Sequence, residues 1–330
     1  MAIMKREERR HDDGPVPRGN ASVIAAIAAG VAVLAGGLVL FSRFAARRIE
    51  REVPPDGQFV TIHGTRLHYV DRGHGPAIVM IHGLGGQIRN FGYALADRLV
   101  ADHRVILVDR PGSGYSAAGP SAGIAVQAGL IAGLIETLQL DRPLVVGHSL
   151  GGAVALALAL DHPDKVGGLA LVAPLTQPEG AVPAAFRGIA ITSPAVRRAV
   201  ALTLATPLGL LSGDKGAVAV FAPEPVAADF GTLGGGRLVL RPGAFHAAST
   251  DLAAARTDMA GLAARYPDLA VPVAILFGRQ DEILDPTLHG GRIAADVPRV
   301  ELTLIDGGHM ILITAAETVA LWIRGRIGVT

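Results

Sequence analysis

No cysteine occurs anywhere in the 330 residues. That absence excludes disulfides, thiolate metal sites, a cysteine nucleophile and a lipid-modified cysteine, although it leaves the redox compartment open. Aromatic side chains are scarce too, at 4%, so the core and any pocket must be built mostly from aliphatic groups. Neither sign of charge is in excess: 30 Lys and Arg stand against 29 Asp and Glu, a net charge of +1. With no long basic tract outside the N-terminus, nothing points to a nucleic-acid partner. Histidines are scattered singly without metal-ligand spacing, so neither a metal nor another cofactor is assigned.

What is present is apolar. Hydrophobic residues make up 50% of the chain, with 42 glycines, enough for one large α/β domain or two ordinary ones. Charge is missing altogether between Arg18 and Arg43. Those 24 residues would span about 36 Å as a helix, against a hydrocarbon core of about 30 Å. This predicts a basic tail at 1–19, a single-pass transmembrane anchor at 20–42, a stalk at 43–57 ending in "PPDG", and a catalytic domain at 58–330. The competing reading is a cleaved signal peptide, whose apolar region is shorter and ends at a small-x-small site. Here "RFAARRIERE" follows, basic and bulky. Lys5, Arg6, Arg9, Arg10 and Arg18 precede the span, and Arg43, Arg47, Arg48 and Arg51 follow it. The flanks nearly balance, so the positive-inside rule assigns no side to the domain.

From Gln58 the pattern changes. "QFVTIHG" and "RLHYVDRG" alternate around a glycine-containing turn, a hairpin signal. Continuous apolar runs then alternate with helical stretches: "AIVMIHG", "RVILVD", "PLVVGHS" and "GLALVAP", and later "PVAILFGRQD" and "VELTLIDGGH". Uninterrupted apolar strands between helices predict a mostly parallel sheet covered on both faces. The rhythm breaks at about 175–268, an Ala-, Pro- and Gly-rich insertion in which only "GRLVL" hints at a strand.

One polar hydroxyl stands out in "VVGHSLGGAV" (145–154), between a buried strand and an apolar helix. A Ser at such a joint is either a helix N-cap in a glycine-rich turn or a nucleophile on a sharp elbow, and a five-residue pattern alone does not decide. Its surroundings favour the elbow. "MIHGLGG" (80–86) ends an earlier strand, "FGRQDEIL" (277–284) puts Asp281 past a late one, and "DGGHM" (306–310) puts His309 past the last. Ser149, Asp281 and His309 stand in the order of a hydrolase triad. Asp285, Glu282 and Asp306 are rival acids; the Gly-x-x-Asp placement favours Asp281. His82 and His148 are expected to shape loops. Gly112, Gly114 and Ala117 mimic a dinucleotide-binding pattern, but two or three strands precede them where that motif opens the first βαβ unit.

Residues 58–330 resemble the lid-bearing branch of the α/β-hydrolase superfamily, including the stretch "DRPGSGYS" at 109–116. The resemblance implies an α/β-hydrolase fold with the insertion at 175–268 as a helical lid. It implies Ser149 as nucleophile, His309 as base, Asp281 as its orienting acid, and the backbone N–H groups of Leu84 and Leu150 as oxyanion donors. The expected activity is hydrolysis of a small apolar ester at a membrane. Carbon–carbon bond, lactone or amide hydrolysis, acyl transfer and a catalytically silent ligand-binding role stay open. Within the lid, "TPLGLLSG" (206–213) is a candidate lining for an acyl pocket.

Overall fold

The computed structural model describes residues 19–327. The basic tail expected at 1–19 lies outside the described residues apart from Gly19. Eight strands form one sheet: β1 (Gln58–Ile62), β2 (Thr65–Arg72), β3 (Ala77–Ile81), β4 (Arg104–Val108), β5 (Leu144–His148), β6 (Gly168–Val172), β7 (Val273–Gly278) and β8 (Val300–Ile305). Their spatial order is β1-β2-β4-β3-β5-β6-β7-β8. Only the β1–β2 and β2–β4 pairs are antiparallel. The hairpin between β1 and β2 turns on His63 and Gly64, both at positive φ (45° and 79°), which matches the twist of the flanking strands.

From β3 to β7 the strands are apolar except for Arg104, which opens β4, and His148, which ends β5, because both faces are covered. Val79, Ile81, Val145 and Leu171 pack to one side with the helices Ile124–Thr137 and Leu150–Asp161. Ile78, Met80, Val146 and Val172 pack to the other, with the helix Ala316–Arg324 and residues near Phe91. Helix Leu150–Asp161 is buried from Leu150 to Ala159 and has no polar stripe, as a helix enclosed on all sides requires.

Between β6 and β7 the chain adds no strand and builds a cap. "GRLVL" is a short 3-10 helix, Gly236–Leu240. The principal cap helices are Pro194–Thr203, Ala205–Ser212, Lys215–Phe221 and Pro242–Ala263.

The N-terminal helix runs unbroken from Gly19 to Glu52. It therefore includes residues 43–52, expected as part of a stalk. The reason lies in spacing: Ser42, Ala45, Ile49 and Val53 recur at intervals of three and four and are all buried. Ile49 and Val53 form a small core with Leu238, Tyr115 and Leu240. Ser42 Oγ donates to the Thr203 carbonyl at 3.3 Å, and Arg89 Nη2 donates to the Pro54 carbonyl at 2.7 Å. Ion pairs Arg237–Glu52 and Arg241–Glu50 flank the seam. Arg237–Glu52 is at the surface and adds little, whereas the Arg241 side chain is mostly buried beside the apolar seam that carries the docking. The part of the helix before Ser42 is long and apolar enough to cross a membrane by length and composition.

Candidate active site

Ser149 sits between β5 and the helix Leu150–Asp161 with φ 54° and ψ −121°, a left-handed conformation unusual for a residue with a side chain. Such a conformation costs about 1–3 kcal/mol and persists only where the surroundings impose it. Here they do. A Cβ on Gly147 would lie 2.6 Å from the Gly151 carbonyl oxygen, and one on Gly151 would lie 2.0 Å from that of Ile81. Gly152 is equally constrained, 2.4 Å from Pro174 Cβ by the same measure. The Ser149 amide donates to the Val172 carbonyl at 3.2 Å, and its own carbonyl accepts from Leu175 N at 2.9 Å. The turn is locked to the end of β6 on both sides.

His309 and Asp281 meet at the ends of β8 and β7. Asp281 Oδ2 lies 2.8 Å from His309 Nδ1, while Oδ1 accepts from the amides of Ile283 and Leu284 at 2.8 and 3.0 Å. A carboxylate facing Nδ1 assigns the imidazole proton to that nitrogen and leaves Nε2 as the lone-pair atom. The rival acids are elsewhere: Asp306 is exposed beside Arg279, Glu282 is exposed, and Asp285 caps the Thr287 amide. His148, the residue before Ser149, has its ring centroid 4.8 Å from that of His309, and its Nε2 lies 3.1 Å from the His309 carbonyl. Elbow and histidine loop are thereby in direct contact. Burial, and then the neighbouring His309, lowers the His148 pKa to about 3. It stays neutral and serves as a donor. A cap residue, Glu224, accepts from the Gly308 amide at 3.1 Å and holds the same loop.

The loop after β3 completes the site. A Cβ on Gly83 would fall 2.9 Å from Ser149 Cβ, so only glycine lets this backbone lie against the elbow. Among the described residues no hydrogen bond engages the amide of Leu84 or of Leu150. Behind the loop lies Arg110, completely buried. Its Nε donates to the His82 carbonyl at 2.9 Å and Nη2 to the Gly83 carbonyl at 3.0 Å. Nη1 donates to Gln127 Oε1 and to Asp251 Oδ2, both at 2.8 Å. His82 Nδ1 bonds the Gly83 carbonyl and Nε2 accepts the Arg110 amide. Burial, with Arg110 adding to it, holds the His82 pKa well below the usual histidine range. Burial also raises Asp251, against the opposing pull of Arg110. Arg110 and Asp251 had no role in the sequence reading. The available signal was the pair Asp109-Arg110 directly after the apolar run at 105–108, a place where nothing is exposed.

The stretch that mimics a dinucleotide fingerprint is filled by protein. Asp109 accepts from the Ile88 and Tyr115 amides and from His68 Nδ1, and a Cβ on Gly114 would lie 2.0 Å from its carboxylate. No room is left there for a phosphate.

Ser149 opens into a pocket of about 550 Å³, its open mouth included. Leu84, Leu150, Phe186, Leu252, Met259 and Ile283 line it, with Glu179 and Arg256 as the charged members. The cap thus contributes residues near 182–186 and 252–259. The expected lining from 206–213 is not there: Leu208 and Leu211 point outward, because that helix packs beside the N-terminal one. Below Glu179, buried His289 holds its carboxylate through Nε2 and takes the Thr176 and Gln177 amides at Nδ1. Among the described residues no cluster of three or more His, Cys, Asp or Glu could hold a metal ion.

Comparison with known proteins agrees with this architecture. An uncharacterized protein of Mycobacterium tuberculosis is 30% identical over 284 residues, covering 80% of this chain and 78% of that one. The dihydrolipoyllysine-residue acetyltransferase component of the acetoin cleaving system of Cupriavidus necator is 38% identical over 122 residues, only 32% of its own length. A 2-hydroxy-6-oxo-6-phenylhexa-2,4-dienoate hydrolase of Burkholderia cepacia is 36% identical over 128 residues, covering 36% of this chain and 44% of the hydrolase. Among solved structures, a thermophilic esterase from Thermogutta terrifontis superposes with a TM-score of 0.65 at 24% identity, over 82% of this chain and 98% of the esterase. The family profile for the alpha/beta hydrolase fold matches residues 76–316. The chain belongs to the α/β-hydrolase family.

Proposed function

We propose that the protein is a serine hydrolase, held at a membrane by its N-terminal helix, that cleaves carboxylic esters with an apolar portion. The observation that carries this reading is Ser149 held in a left-handed backbone at the mouth of an aliphatic pocket. The His309–Asp281 pair lies within ring contact of the preceding residue. As the Ser149 Oγ–carbon bond forms, the hydroxyl proton passes to His309 Nε2, and Asp281 stabilises the resulting imidazolium. The carbonyl oxygen becomes an oxyanion facing the unengaged amides of Leu84 and Leu150; loss of one such donor costs about 10²–10³ in rate. Collapse expels the alcohol, which takes the proton from Nε2. Water then repeats the sequence on the acyl-enzyme, releasing the acid and returning the proton to Ser149.

The anchor part of the reading is supported by the buried seam at Ser42, Ala45, Ile49 and Val53. The apolar segment runs without a break into that docked seam, as an anchor tied to the domain would. The second reading is carbon–carbon bond or lactone cleavage. The names of a dienoate hydrolase among the relatives and an enol-lactonase among the solved structures favour it, as do the charges of Glu179 and Arg256 on a pocket that is otherwise mostly apolar.

A fluorophosphonate probe tests the nucleophile. Wild type is labelled at Ser149, and Ser149→Ala loses both the label and about 10⁶ in kcat if the three groups act as a unit. Labelling that persists in the Ala variant refutes the assignment. p-Nitrophenyl esters of increasing chain length, assayed beside lactones and amides, separate the two readings.

A further inference from the structure

The cap carries an apolar surface that neither the pocket nor the core uses. From Ala199 to Gly213 no residue is charged. The helix Ala205–Ser212 within this stretch leaves its leucines outside: Leu211 is 84% exposed, Leu208 57% and Leu210 45%, with Leu204 just before them at 43%. Clustered exposed leucines of this kind mark a contact with something apolar.

The N-terminal helix says what that is. Ser42 Oγ bonds the carbonyl of Thr203, two residues before the leucine-bearing helix begins. Upstream of that bond the helix leaves the protein, and Val23, Ile24, Ile27, Val31, Val33 and Leu34 are exposed. The twenty residues 22–41 rise about 30 Å, the thickness of a hydrocarbon core. The boundary of that core therefore falls at Ser42, level with Thr203, and Leu204–Leu211 lie beside it. Arg198 and the pair Asp214-Lys215 bound this uncharged stretch in sequence and Arg43 and Arg47 follow Ser42 on the docked helix, all exposed, so basic groups are available to lipid headgroup phosphates. A second protein copy would also cover leucines, but it would not place them at the foot of a membrane-length helix.

We infer that the helix Ala205–Ser212 lies in the headgroup–acyl boundary of the bilayer and inserts Leu208, Leu210 and Leu211 as a second membrane contact. This rests on the reading of the N-terminal helix as an anchor. The cap is then a lipid-facing element, and the region that encloses the pocket is held at the surface where amphiphilic esters reside.

Because the chain has no cysteine, single-cysteine variants of the full-length protein carry one environment-sensitive fluorophore each. Leu211→Cys, Leu208→Cys and Val31→Cys are reconstituted into phosphatidylcholine–phosphatidylglycerol vesicles and challenged with aqueous iodide or with lipids doxyl-labelled near the headgroup. The expected result is doxyl quenching of both cap labels, whose iodide quenching falls by about tenfold relative to the same fluorophore on free cysteine, as suits a depth of about 5–10 Å. The Val31 label, about 15 Å deeper than the core boundary, should be shielded from iodide. A Val31 label shielded from iodide while both cap labels stay open to it overturns the inference and leaves the anchor standing. A Val31 label open to iodide overturns the anchor, and the inference with it. Shielding of the cap labels from iodide without quenching by doxyl lipid identifies a second protein copy as the occupant, and also overturns the inference.

Discussion

Two buried histidine–carboxylate pairs in this molecule are built alike. Asp281 takes two backbone amides and Nδ1 of His309; Asp109 takes two backbone amides and Nδ1 of His68. The nitrogen-to-oxygen distances are 2.8 and 2.7 Å. What differs is the far side of the imidazole. His309 is in ring contact with the residue before Ser149, whereas His68 lies between the rings of Phe59 and Tyr115 and its Nε2 is buried without a partner. A histidine oriented by a carboxylate is thus a general way to fix a ring. It becomes a candidate catalytic base only where the second nitrogen has a hydroxyl and a pocket to serve.

Removing each acid in turn separates orientation for chemistry from orientation for folding. Asp281→Asn is expected to trap the wrong imidazole tautomer and lower kcat by about 10⁴, with the protein still folded by circular dichroism. Asp109→Ala should do the reverse. It leaves the Ile88 and Tyr115 amides and His68 Nδ1 without an acceptor, at about 1–3 kcal/mol for each buried group, so the urea midpoint falls sharply. The kcat of the fraction that remains folded should stay within about tenfold of wild type, since no reacting atom is touched. If Asp109→Ala is the catalytically worse variant, the two pairs have been assigned the wrong way round.

A smaller effect comes from the histidines that are buried and kept neutral. His148 is lowered to about 3 and His82 well below its ordinary value, each chiefly by burial. Between about pH 6.5 and those values the unfolded chain binds protons that the folded chain does not, so stability rises with pH and is complete above about 6.5. Acidification below that point should destabilise by about 1.4 kcal/mol per pH unit for each such histidine. Thermal melts from pH 7 to 4.5 should show this slope, and His148→Gln should flatten it by close to one proton. The smallest effect belongs to Asp306→Asn. Its carboxylate is exposed, so stability should shift by less than about 0.5 kcal/mol and kcat should hold. A large loss of kcat there would reinstate it as the acid.

The parts of the molecule that sequence made legible are those in which residue types are forced. Short apolar runs bounded by turn residues read as strands covered on both faces, and β3 to β7 carry such runs. Gly147 and Gly151 can be nothing else beside Ser149, because a Cβ on either meets backbone. Less legible was anything decided by contact between distant segments. Arg110 and Asp251 are 141 positions apart, and neither residue type in isolation implies burial. The helix through 43–52 was hidden by its charges, although Ala45, Ile49 and Val53 kept the spacing of a docked face. In "TPLGLLSG" the leucines read the same whether they face a pocket or the outside. Composition could not separate the two.

The buried guanidinium of Arg110 also constrains how the cap can move. It bonds the carbonyls of His82 and Gly83, immediately before the Leu84 amide, and it bonds Asp251 on the helix Pro242–Ala263. That same helix sends Leu252, Arg256 and Met259 to the pocket wall. Lifting it would strand an ion pair in the interior, a loss of about 3–5 kcal/mol when one partner is removed from such a pair. On the proposed reading, a substrate would enter past the remainder of the cap as the door, with this helix as the doorpost. Pocket wall and Leu84 amide are tied through one guanidinium, so if that amide is the proposed oxyanion donor, a change that tilts the doorpost would alter its alignment with the reacting carbonyl, even when it touches neither substrate nor Ser149.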